Sequence, residues 1–375
     1  MCRFRDIRRF IRFDNKETRA TRVRDDKLAA ISELFSMFLH NAQGSMVPGP
    51  FLTIDERLAP YRGRCSFIQY MPMKPAKYGI KLWMCCDAET KYIYNASIYC
   101  GKVSSDAAPT KDLGGKVVRD LLEPLLCEGR NITTDNYFTS LTLARDLLKT
   151  KKASLVGTVR TNRVELPIEF VNPKGRDLYS SLVGFNETGD SSLVSYKCKK
   201  NKVVVVLSTM HVSDVNFGKE PQKLPEVINF YNKTKGGVDC ADQMIETFST
   251  KFCTRRWPVA LFCNLLDMAA LNAYVLNEKL KVEGAPVGKR RLFIKQLGKA
   301  LCQELRECRE SDAIHPRLAR ARQLDHTQEP PRKRGRCNVC PRQTDRKATE
   351  VCSACNKNVC PVHREIFCQT CLTSD

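Results

Sequence analysis

Cysteine and histidine are spaced in pairs along the C-terminal end of the chain. Two residues separate the members of each pair, which are Cys337 and Cys340, Cys352 and Cys355, Cys360 and His363, and Cys368 and Cys371. This spacing lets both side chains of a pair converge on one ion, and four nitrogen or sulfur ligands complete a tetrahedral zinc site. Disulfides are the alternative, but they require an oxidising compartment, and the N-terminal sequence does not resemble a secretory signal. The spacing therefore predicts two structural zinc ions.

Four aspartates stand in contexts that suit metal-dependent catalysis. Asp55 and Asp135 lie in the strand-like segments FLTIDERL (51–58) and NITTDNYF (131–138), where the apolar neighbours indicate burial. Asp239 and Asp242 follow a Gly-Gly pair, and on a helix their spacing puts both carboxylates on one face. An unpaired buried carboxylate is costly. Mg²⁺ prefers oxygen ligands, and a pair of such ions stabilises both oxygens of a phosphoryl transfer.

Structural roles are the alternative for the same carboxylates. Asp55 would cap a turn, and Asp135 would pair with Asn136 or an arginine. Asp239 and Asp242 would begin a helix, where the helix dipole favours acidic residues. Composition alone favours these structural roles.

Basic residues give the chain a formal net charge of +21. Such a charge favours a polyanionic partner, because each Lys or Arg near a phosphate releases a condensed counterion. Basic residues interleaved with aromatic ones also follow Asp55 closely: Arg57, Arg62, Arg64, Lys74, Lys77 and Lys81. This mixture is typical of a groove that follows a nucleic-acid backbone, and a solvated sheet face over an aromatic core is the alternative.

Two further segments bear on the location of the protein in the cell. Arg332, Lys333 and Arg334 belong to a short basic linker before the first zinc cysteine, which suits nuclear import or phosphate contact. A solvated linker is the alternative, but together with the overall charge the run predicts a nuclear protein. The longest apolar stretch, residues 257–280, is interrupted by polar residues such as Asn264 and Asp267. It is predicted to be a buried helix, and no membrane is expected as a partner.

The elements that must position these residues are predicted from periodicity. Residues 1–50 have the apolar spacing of helices. Strands are predicted at 51–58, 78–88, 92–101, 131–138 and 154–159, with helices at 113–126 and 141–149. Residues 162–225 are predicted to be mostly β, with strands at 193–200 and 202–210, and helices at 257–280 and 292–309 follow. The fold class is therefore α/β, with a mixed sheet packed by helices.

Longer segments of the sequence resemble the piggyBac transposase family over nearly the whole chain. The segments that carry the resemblance are TIDERLAPYRGRCSF (53–67), KPAKYGIKLWMCCD (74–87), NITTDNYFTS (131–140), VGTVRTNR (156–163), YNKTKGGVDCADQM (231–244) and RRWPVALF (255–262). The spacing of the C-terminal cysteine pairs also matches the cysteine-rich domain of that family. These segments are long, and they occur in the same order.

The resemblance implies a ribonuclease H-like catalytic domain with a β insertion, a helical dimerisation and DNA-binding region, and a cysteine-rich zinc domain. The implied ranges are 1–50 and 249–329 for the helical region, 51–161 and 226–248 for the catalytic domain, 162–225 for the insertion, and 330–375 for the basic linker and zinc domain. The acidic active site of the family maps onto Asp55, Asp135 and Asp239, with Asp242 as the fourth required aspartate. Mg²⁺ or Mn²⁺ is the implied catalytic cofactor.

The resemblance also implies cut-and-paste transposition by a homodimer on double-stranded DNA. Water frees a 3′-hydroxyl at the transposon end, that hydroxyl forms a hairpin, and the reopened end joins a TTAA target. Trp257 corresponds to a tryptophan near the hairpin-handling surface of the family, with a core role as the alternative. The candidate DNA contacts are Arg57, Arg62, Arg64, Lys74, Lys77, Trp257, Arg332, Lys333 and Arg334.

Two questions stay open at this level. The short gap between Cys355 and Cys360, together with the resemblance, favours interleaved zinc sites over sequential ones. Cys337, Cys340, Cys360 and His363 would bind one ion, and Cys352, Cys355, Cys368 and Cys371 the other.

Members of the family usually have more sequence before the point that matches Met1. The chain is therefore expected to be either an N-terminally truncated transposase or a domesticated, catalytically inactive protein that binds DNA or chromatin.

Overall fold

The polypeptide divides into two units, Met1–Lys295 and Gln296–Asp375. The structure is a computed structural model. It describes residues 2–101, 112–125, 127, 129–213, 217–219, 222–281, 289–311, 334–344, 346–352, 355 and 357–363. Arg332, Lys333, Cys368 and Cys371 lie outside the described residues, and so do the predictions made for them.

One mixed sheet of nine strands forms the framework of the first unit. The strands are Phe51–Pro60 (β1), Ile68–Tyr70 (β2), Tyr78–Asp87 (β3), Ile93–Ile98 (β4), Asn131–Thr134 (β5), Ser154–Thr158 (β6), Ser181–Phe185 (β7), Ser192–Lys199 (β8) and Lys202–Ser208 (β9). Their order is β2-β3-β1-β5-β6-β9-β8-β7, and β4 pairs with the other part of β3. β1 runs antiparallel to β3 but parallel to β5, and β5 runs parallel to β6. The predicted mixed sheet is confirmed.

Ten helices accompany the strands in the described residues. They are Cys2–Phe10 (α1), Lys16–Arg22 (α2), Ser32–Ser45 (α3), Leu113–Leu122 (α4), Leu141–Thr150 (α5), Ile168–Val171 (α6), Glu226–Thr234 (α7), Gly237–Thr247 (α8), Trp257–Lys279 (α9) and Arg290–Ser311 (α10). The main apolar core lies between the sheet and α3, α4, α5, α8 and α9. A second apolar cluster packs α7 against β8 and β9.

β5 is shorter than the segment 131–138 predicted for it. It ends at Thr134, because the carboxylate of Asp135 accepts a hydrogen bond of 2.9 Å from the amide of Tyr137 and turns the chain. The hydroxyl of Thr139 then donates to the carbonyl of Asp135 at 2.7 Å. Asp135 therefore follows the strand on a turn instead of lying within it. Aspartate favours such turns because its side chain bonds the backbone two residues further on.

The predicted strands of the 162–225 segment appear as β8 and β9, and β7 joins them. β9 pairs antiparallel with β6, with Val156 opposite Ser208, so these three strands extend the central sheet. Periodicity predicts that strands exist here, but the pairing of β9 with β6 joins residues about fifty positions apart. This pairing is therefore visible in the structure but cannot be predicted from local periodicity.

α9 is the one described helix that is long and apolar enough to cross a membrane, and more than half of its most apolar window is buried within the fold. Its polar side chains bond other elements. The side-chain amide of Asn272 exchanges two hydrogen bonds of 2.8 Å with the backbone of Ile93. Asp267 accepts hydrogen bonds from the Ser249 hydroxyl and the Thr250 amide, at 2.6 and 2.8 Å. The predicted buried helix is confirmed.

The described part of the second unit contains two short strands after α10. They are Gly335–Arg336 (β10) and Lys347–Ala348 (β11), which pair antiparallel. A further antiparallel bridge joins Val351 to Asn358. The amide of Asn338 donates to the carbonyl of Asn358 at 2.8 Å. These contacts bring the segment around Cys337 close to the segment around Cys360.

Candidate metal centres and nucleic-acid surface

The start of α8 is fixed closely against the sheet. The hydroxyl of Thr53 donates to the carbonyl of Thr234 at 2.6 Å, and the hydroxyl of Thr133 donates to that of Thr234 at 2.8 Å. A Cβ atom on Gly237 would lie 2.4 Å from the Thr53 Oγ1 atom, so only glycine allows the helix to approach this closely. Asp239 lies two residues into the helix from this contact. The geometry of the Thr-Gly junction therefore determines where its carboxylate stands.

Three of the four predicted aspartates line one cavity of about 320 Å³. Asp55 comes from the middle of β1, Asp135 from the turn after β5, and Asp239 from the first turn of α8. The other lining residues are Thr53, Ile54, Thr133, Thr134, Tyr231, Lys235 and Gly236. Because β1 and β5 are parallel neighbours and α8 packs on β1, three segments far apart in sequence meet at this point. The structure thus brings Asp55, Asp135 and Asp239 to the same cavity.

Glu56 is a fourth acidic residue, beside this cavity, and the sequence analysis missed it. Carboxylate oxygens of Asp55, Glu56 and Asp135 all lie within 4.8 Å of one another, close enough to hold one metal ion. Alternation along a strand sends neighbouring side chains to opposite faces. However, the pairing of β1 with β5 ends at Ile54, and beyond it the edge of the strand is open. Neighbouring carboxylates can approach each other around that edge.

Two acidic groups in the cavity, Asp55 and Asp135, are unfavourable in their charged forms. Burial, followed by the negative charges of Glu56 and Asp135, raises the pKa of Asp55 to about 8. Burial also raises the pKa of Asp135, against the effect of the Tyr137 amide that bonds its carboxylate. A bound divalent cation would remove this penalty, because it favours ionised oxygen ligands. The oxygen donors and mutual distances of Asp55, Glu56 and Asp135, with the raised pKa values of Asp55 and Asp135, fit a Mg²⁺ or Mn²⁺ ion. Asp239 lines the same cavity but lies outside this cluster.

Asp242 does not line this cavity, and the prediction that it binds metal beside Asp239 stays a prediction. Its carboxylate accepts a hydrogen bond from Nε of Arg57, whose side chain is 0 % exposed. The two aspartates do lie on one helix three residues apart, as predicted. They have different partners, because Asp239 is near the cavity mouth and Asp242 faces the buried guanidinium. The same contact contradicts the prediction that Arg57 contacts DNA, since a fully buried side chain cannot reach a phosphate.

Two lysines stand beside the acidic cavity. Nζ of Lys74 donates to the backbone carbonyl of Glu56 at 3.0 Å and lies 3.6 Å from Oδ1 of Asp239. Nζ of Lys81 lies 5.3, 5.9 and 5.1 Å from the ring centroids of Trp83, Tyr99 and Tyr137, respectively. Burial lowers the pKa of Lys81, although the charges of Glu56 and Asp135 oppose this effect. Among the residues that the structure describes, none forms an ion pair with Lys81.

Cys337, Cys340, Cys360 and His363 form a second candidate metal centre, with ligand atoms within 4.8 Å of one another. Nδ1 of His363 is 3.8, 3.4 and 3.4 Å from the three sulfur atoms, in the order of the cysteines. Sγ of Cys340 and Sγ of Cys360 are 3.6 Å apart, far longer than the ~2.05 Å of a disulfide bond. The structure thus brings together the interleaved set and not the sequential one.

The electrostatics of this cluster suit a cation. Burial opposes ionisation of Cys337, but backbone amides, beginning with that of Cys360, lower the pKa of the thiol to about 6. Burial and the neighbouring sulfur atoms raise the pKa of Cys340 to about 11. The shifts differ in direction because a thiolate at one position disfavours a second thiolate beside it. A zinc ion would remove that conflict by binding both sulfur atoms as thiolates.

The other proposed zinc ligands are described in part. Cys352 is buried against Val359 and Cys355, in a cluster apart from that of Cys337 and Cys360. Their proposed partners, Cys368 and Cys371, lie outside the described residues. The interleaved arrangement of the second site therefore stays a prediction.

Comparison with known proteins identifies the fold that holds these sites. A family model described as Transposase IS4 matches residues 1–274. The chain is also similar to the protein in a cryo-EM structure of the piggyBac transposase synaptic complex with hairpin DNA. The similarity is 35 % identity with a TM-score of 0.77, and it covers 98 % of this chain and 79 % of that one. The chain belongs to the piggyBac transposase family.

Two human proteins are more distant relatives of this piggyBac family member. PiggyBac transposable element-derived protein 3 is 26 % identical over 273 residues, which are 68 % of this chain and 44 % of the human protein. The chimeric ERCC6-PGBD3 protein matches with the same identity and length, but the match covers 25 % of it. The chain therefore spans less than half the length of either human relative.

The remaining candidate DNA contacts of this piggyBac family member differ in exposure. Arg62, Arg64, Lys77 and Arg334 are exposed, and Lys74 is half-buried beside Asp239. Trp257 is half-buried, with its ring 5.1 Å from that of Phe67 in an edge-to-face contact. It packs against the core and also faces a cavity.

The cavity beside Trp257 is strongly basic, which the sequence analysis did not predict. Its volume is about 470 Å³, and its basic lining residues are Arg12, Lys16, Arg19, Lys27, Arg255 and Arg256. Burial and then the positive charges of Arg12 and Arg19 lower the pKa of Arg256. The signal was present in the RRWP segment, but the other charges come from α2, the loop before it and the turn after it. That convergence is visible only in three dimensions.

Proposed function

We propose that this chain is a DNA transposase that cuts and joins DNA ends at the cavity formed by Asp55, Asp135 and Asp239. The observation that carries the proposal is that these three carboxylates line one cavity, where burial raises the pKa of Asp55 to about 8 and Glu56 lies within 4.8 Å of Asp55 and Asp135. Carboxylates held this way have little structural use without a cation. The family membership and the similarity to a transposase synaptic complex support the same reaction.

We further propose that the sheet is a ribonuclease H-like catalytic core. Its support is the arrangement of β1 between an antiparallel β3 and a parallel β5, with acidic residues in the middle of β1 and directly after β5. β7, β8 and β9 would form the insertion of that core, and α1, α2, α3 and α9 would belong to the helical DNA-binding region.

Bound Mg²⁺ or Mn²⁺ would activate the attacking oxygen and neutralise charge on the phosphate during each displacement. The residues of the chain would bind the ion, hold its ligands in place and balance the charge of the phosphate. Asp55 and Asp135 would hold the ion, with Glu56 close enough to share it and Asp239 as the ligand from α8. Lys74 bonds the backbone carbonyl of Glu56 and places a positive charge 3.6 Å from the carboxylate of Asp239. The ammonium of Lys81, free of an ion pair in the described residues, would contact a phosphate oxygen beside the reacting centre.

The proposed substrate is double-stranded DNA with the terminal repeats of a transposon, and the proposed target is TTAA. Exposed Arg62 and Arg64 follow β1, and exposed Lys77 directly precedes its neighbour β3, so they would bind the duplex backbone close to the cavity. Tyr99 and Tyr137 around Lys81 would stack on unpaired bases. A homodimer and a nuclear location are part of the same proposal, supported by the family and by the basic linker.

The second metal centre is proposed to bind structural zinc. Three sulfur atoms and one imidazole nitrogen match the ligands of a closed tetrahedral site. A second zinc ion on Cys352, Cys355, Cys368 and Cys371 would complete the cysteine-rich domain. This domain would contact DNA through residues such as Arg334, and it would add affinity for transposon ends.

The test of this proposal is metal-dependent nicking of a TTAA-flanked transposon end by the full chain. Asp55→Asn, Asp135→Asn and Asp239→Asn should each lower the nicking rate by more than about 100-fold, because each removes a metal ligand. Binding of the same duplex should change little. Asp146→Asn is the matched control, because its carboxylate pairs with Arg119 at 2.6 Å, between α4 and α5. If the unaltered chain binds that end in Mg²⁺ or Mn²⁺ without nicking it, the domesticated alternative replaces the transposase.

A further inference from the structure

The guanidinium of Arg57 is buried where three elements meet. Its side chain is 0 % exposed, and all three nitrogen atoms have partners. Nε donates to Asp242 on α8, Nη1 donates to Oδ1 of Asn264 on α9 at 2.6 Å, and Nη2 lies 3.3 Å from Oε1 of Glu246 on α8. One side chain of β1 therefore joins both helices to the sheet.

The charges around Arg57 are balanced within this network. Asp242 and Glu246 supply two negative charges, and Lys251 forms an ion pair with Glu246. A charge as deeply buried as that of Arg57 is tolerated only with such partners, and removal of one partner leaves the charge uncompensated. A guanidinium also fixes its partners in direction, because its donors form a rigid planar fork. The network therefore fixes the orientation of α8 as well as its distance from the sheet.

The same elements carry the proposed metal ligands. Arg57 follows Asp55 by two residues on β1, so both side chains lie on one face of the strand. Asp242 follows Asp239 by three residues on α8. The ion pair thus connects the strand that carries one ligand to the helix that carries another. Asp239 itself is loosely held, with a side chain that is 67 % exposed and a lysine 3.6 Å away.

We infer that Arg57 and Asp242 are positioning residues that hold α8 against β1 and so set the place of Asp239 relative to Asp55 and Asp135. Asp242 acts through Arg57, and it is not a metal ligand. The inference rests on the proposed function, because the metal site gives the position of Asp239 its importance. Glu246 and Asn264 complete the network by binding the other two nitrogen atoms of the guanidinium.

A double-mutant cycle in the full chain distinguishes positioning from direct metal binding. The variants are Arg57→Gln, Asp242→Asn and the two together, and Mn²⁺ binding is followed by electron paramagnetic resonance. Each single variant should weaken Mn²⁺ binding by about 10-fold, as outer-shell partners of metal ligands do. The double variant should bind Mn²⁺ no more weakly than either single variant, because all three lose the same ion pair. In the nicking assay, saturating Mn²⁺ should restore much of the rate to these variants but not to Asp239→Asn.

Two controls separate this effect from a general loss of stability. Arg57→Lys keeps the positive charge but lacks the planar set of guanidinium donors. This variant should therefore bind Mn²⁺ with an affinity between those of Arg57→Gln and the unaltered chain. Arg119→Gln breaks the ion pair with Asp146 and should leave Mn²⁺ affinity unchanged. If Asp242→Asn abolishes Mn²⁺ binding while Arg57→Gln leaves it within about 2-fold, Asp242 is a direct ligand and the inference is wrong. If the unaltered chain binds no Mn²⁺ through Asp55, the proposed function fails, and the inference fails with it.

Discussion

The carboxyl group of Asp55 lies half-buried beside Glu56 and Asp135, and these surroundings raise its pKa to about 8. A metal ion must therefore displace a proton from this group at neutral pH. Below about pH 8 the apparent Mn²⁺ affinity should rise ~10-fold per pH unit for each proton released, and above it the rise should stop. Mn²⁺ titrations at pH 6, 7, 8 and 9 measure the slope of log affinity against pH.

The sign of this effect follows from the direction of the pKa shift. The protonated form predominates below about pH 8 and competes with the metal, so acid weakens binding and alkali strengthens it. Asp146→Asn, which alters a carboxylate away from the cavity, should keep the slope of the unaltered chain. An affinity that stays constant from pH 6 to pH 8 would mean that Asp55 is already ionised there.

Residue types predicted the acidic site only in part. Asp55, Asp135 and Asp239 could be chosen from their contexts and from the family resemblance, and the structure brings them to one cavity. Glu56 was missed because strand alternation assigns it to the other face, and the open edge of β1 is not visible in the sequence. Arg57 was taken for a DNA contact because its acceptor on Asp242 lies 185 positions away along the chain. Charge alone does not distinguish a buried ion pair from a phosphate contact.

At the scale of elements, the contact between α8 and β1 determines the geometry of the acidic cavity. A Cβ on Gly237 would lie 2.4 Å from Oγ1 and 2.8 Å from Cβ of Thr53, so Gly237→Ala must push the helix away from the strand. Such overpacking should lower the free energy of unfolding by about 1–3 kcal/mol. It should also weaken Mn²⁺ binding, because Asp239 moves with the helix. Thermal unfolding and Mn²⁺ titration measure the two effects.

Gly298→Ala is the matched control for that substitution. Gly298 lies in α10, and beyond its own stretch of helix backbone no atom of the described residues is within 4 Å of the place of its added Cβ. The change should therefore stabilise the helix by about 0.5–1 kcal/mol, the usual gain of alanine over glycine. If Gly237→Ala is as harmless as Gly298→Ala, the close approach of α8 to β1 does not constrain the site.

The positions of most elements were predictable, but their ends and pairings were not. β3 and α9 match the predicted segments within one residue at each end, because strong apolar runs and their flanking polar residues determine them. β5 ended four residues early, since the Asp135 side chain competes for the backbone amide of Tyr137. The addition of β7, β8 and β9 to the central sheet depends on pairing between distant segments. Local periodicity carries no information about such pairing.

At the scale of the whole molecule, the net charge of +21 predicts strongly salt-dependent DNA binding. Neutralising an exposed arginine that contacts phosphate should reduce the slope of log affinity against log salt by about 1. Arg62→Gln and Arg64→Gln should each have this effect, since both side chains are exposed. Arg57→Gln removes the same charge but should leave the slope unchanged, because the guanidinium is buried. An equal loss of slope in all three variants would contradict the assignment of Arg57 to the interior.

The cysteine-rich domain should hold two zinc ions per chain, and the pairing of its ligands is open to a direct test. Cys340→Ser and Cys360→Ser should each lose one ion, and the two together should still lose only one, since both sulfur atoms belong to one cluster. Cys340→Ser combined with Cys352→Ser should lose both ions, because Cys352 packs in a separate cluster.

Inductively coupled plasma mass spectrometry of the purified full chain gives the zinc count for each variant. Cys302→Ser serves as the control, because this cysteine is exposed on α10 and should not change the count. The sequential arrangement predicts the reverse pattern, in which Cys340→Ser with Cys352→Ser loses one ion and Cys340→Ser with Cys360→Ser loses two. Because the thiolates of each cluster repel one another without a cation, loss of an ion should also unfold the segment around it.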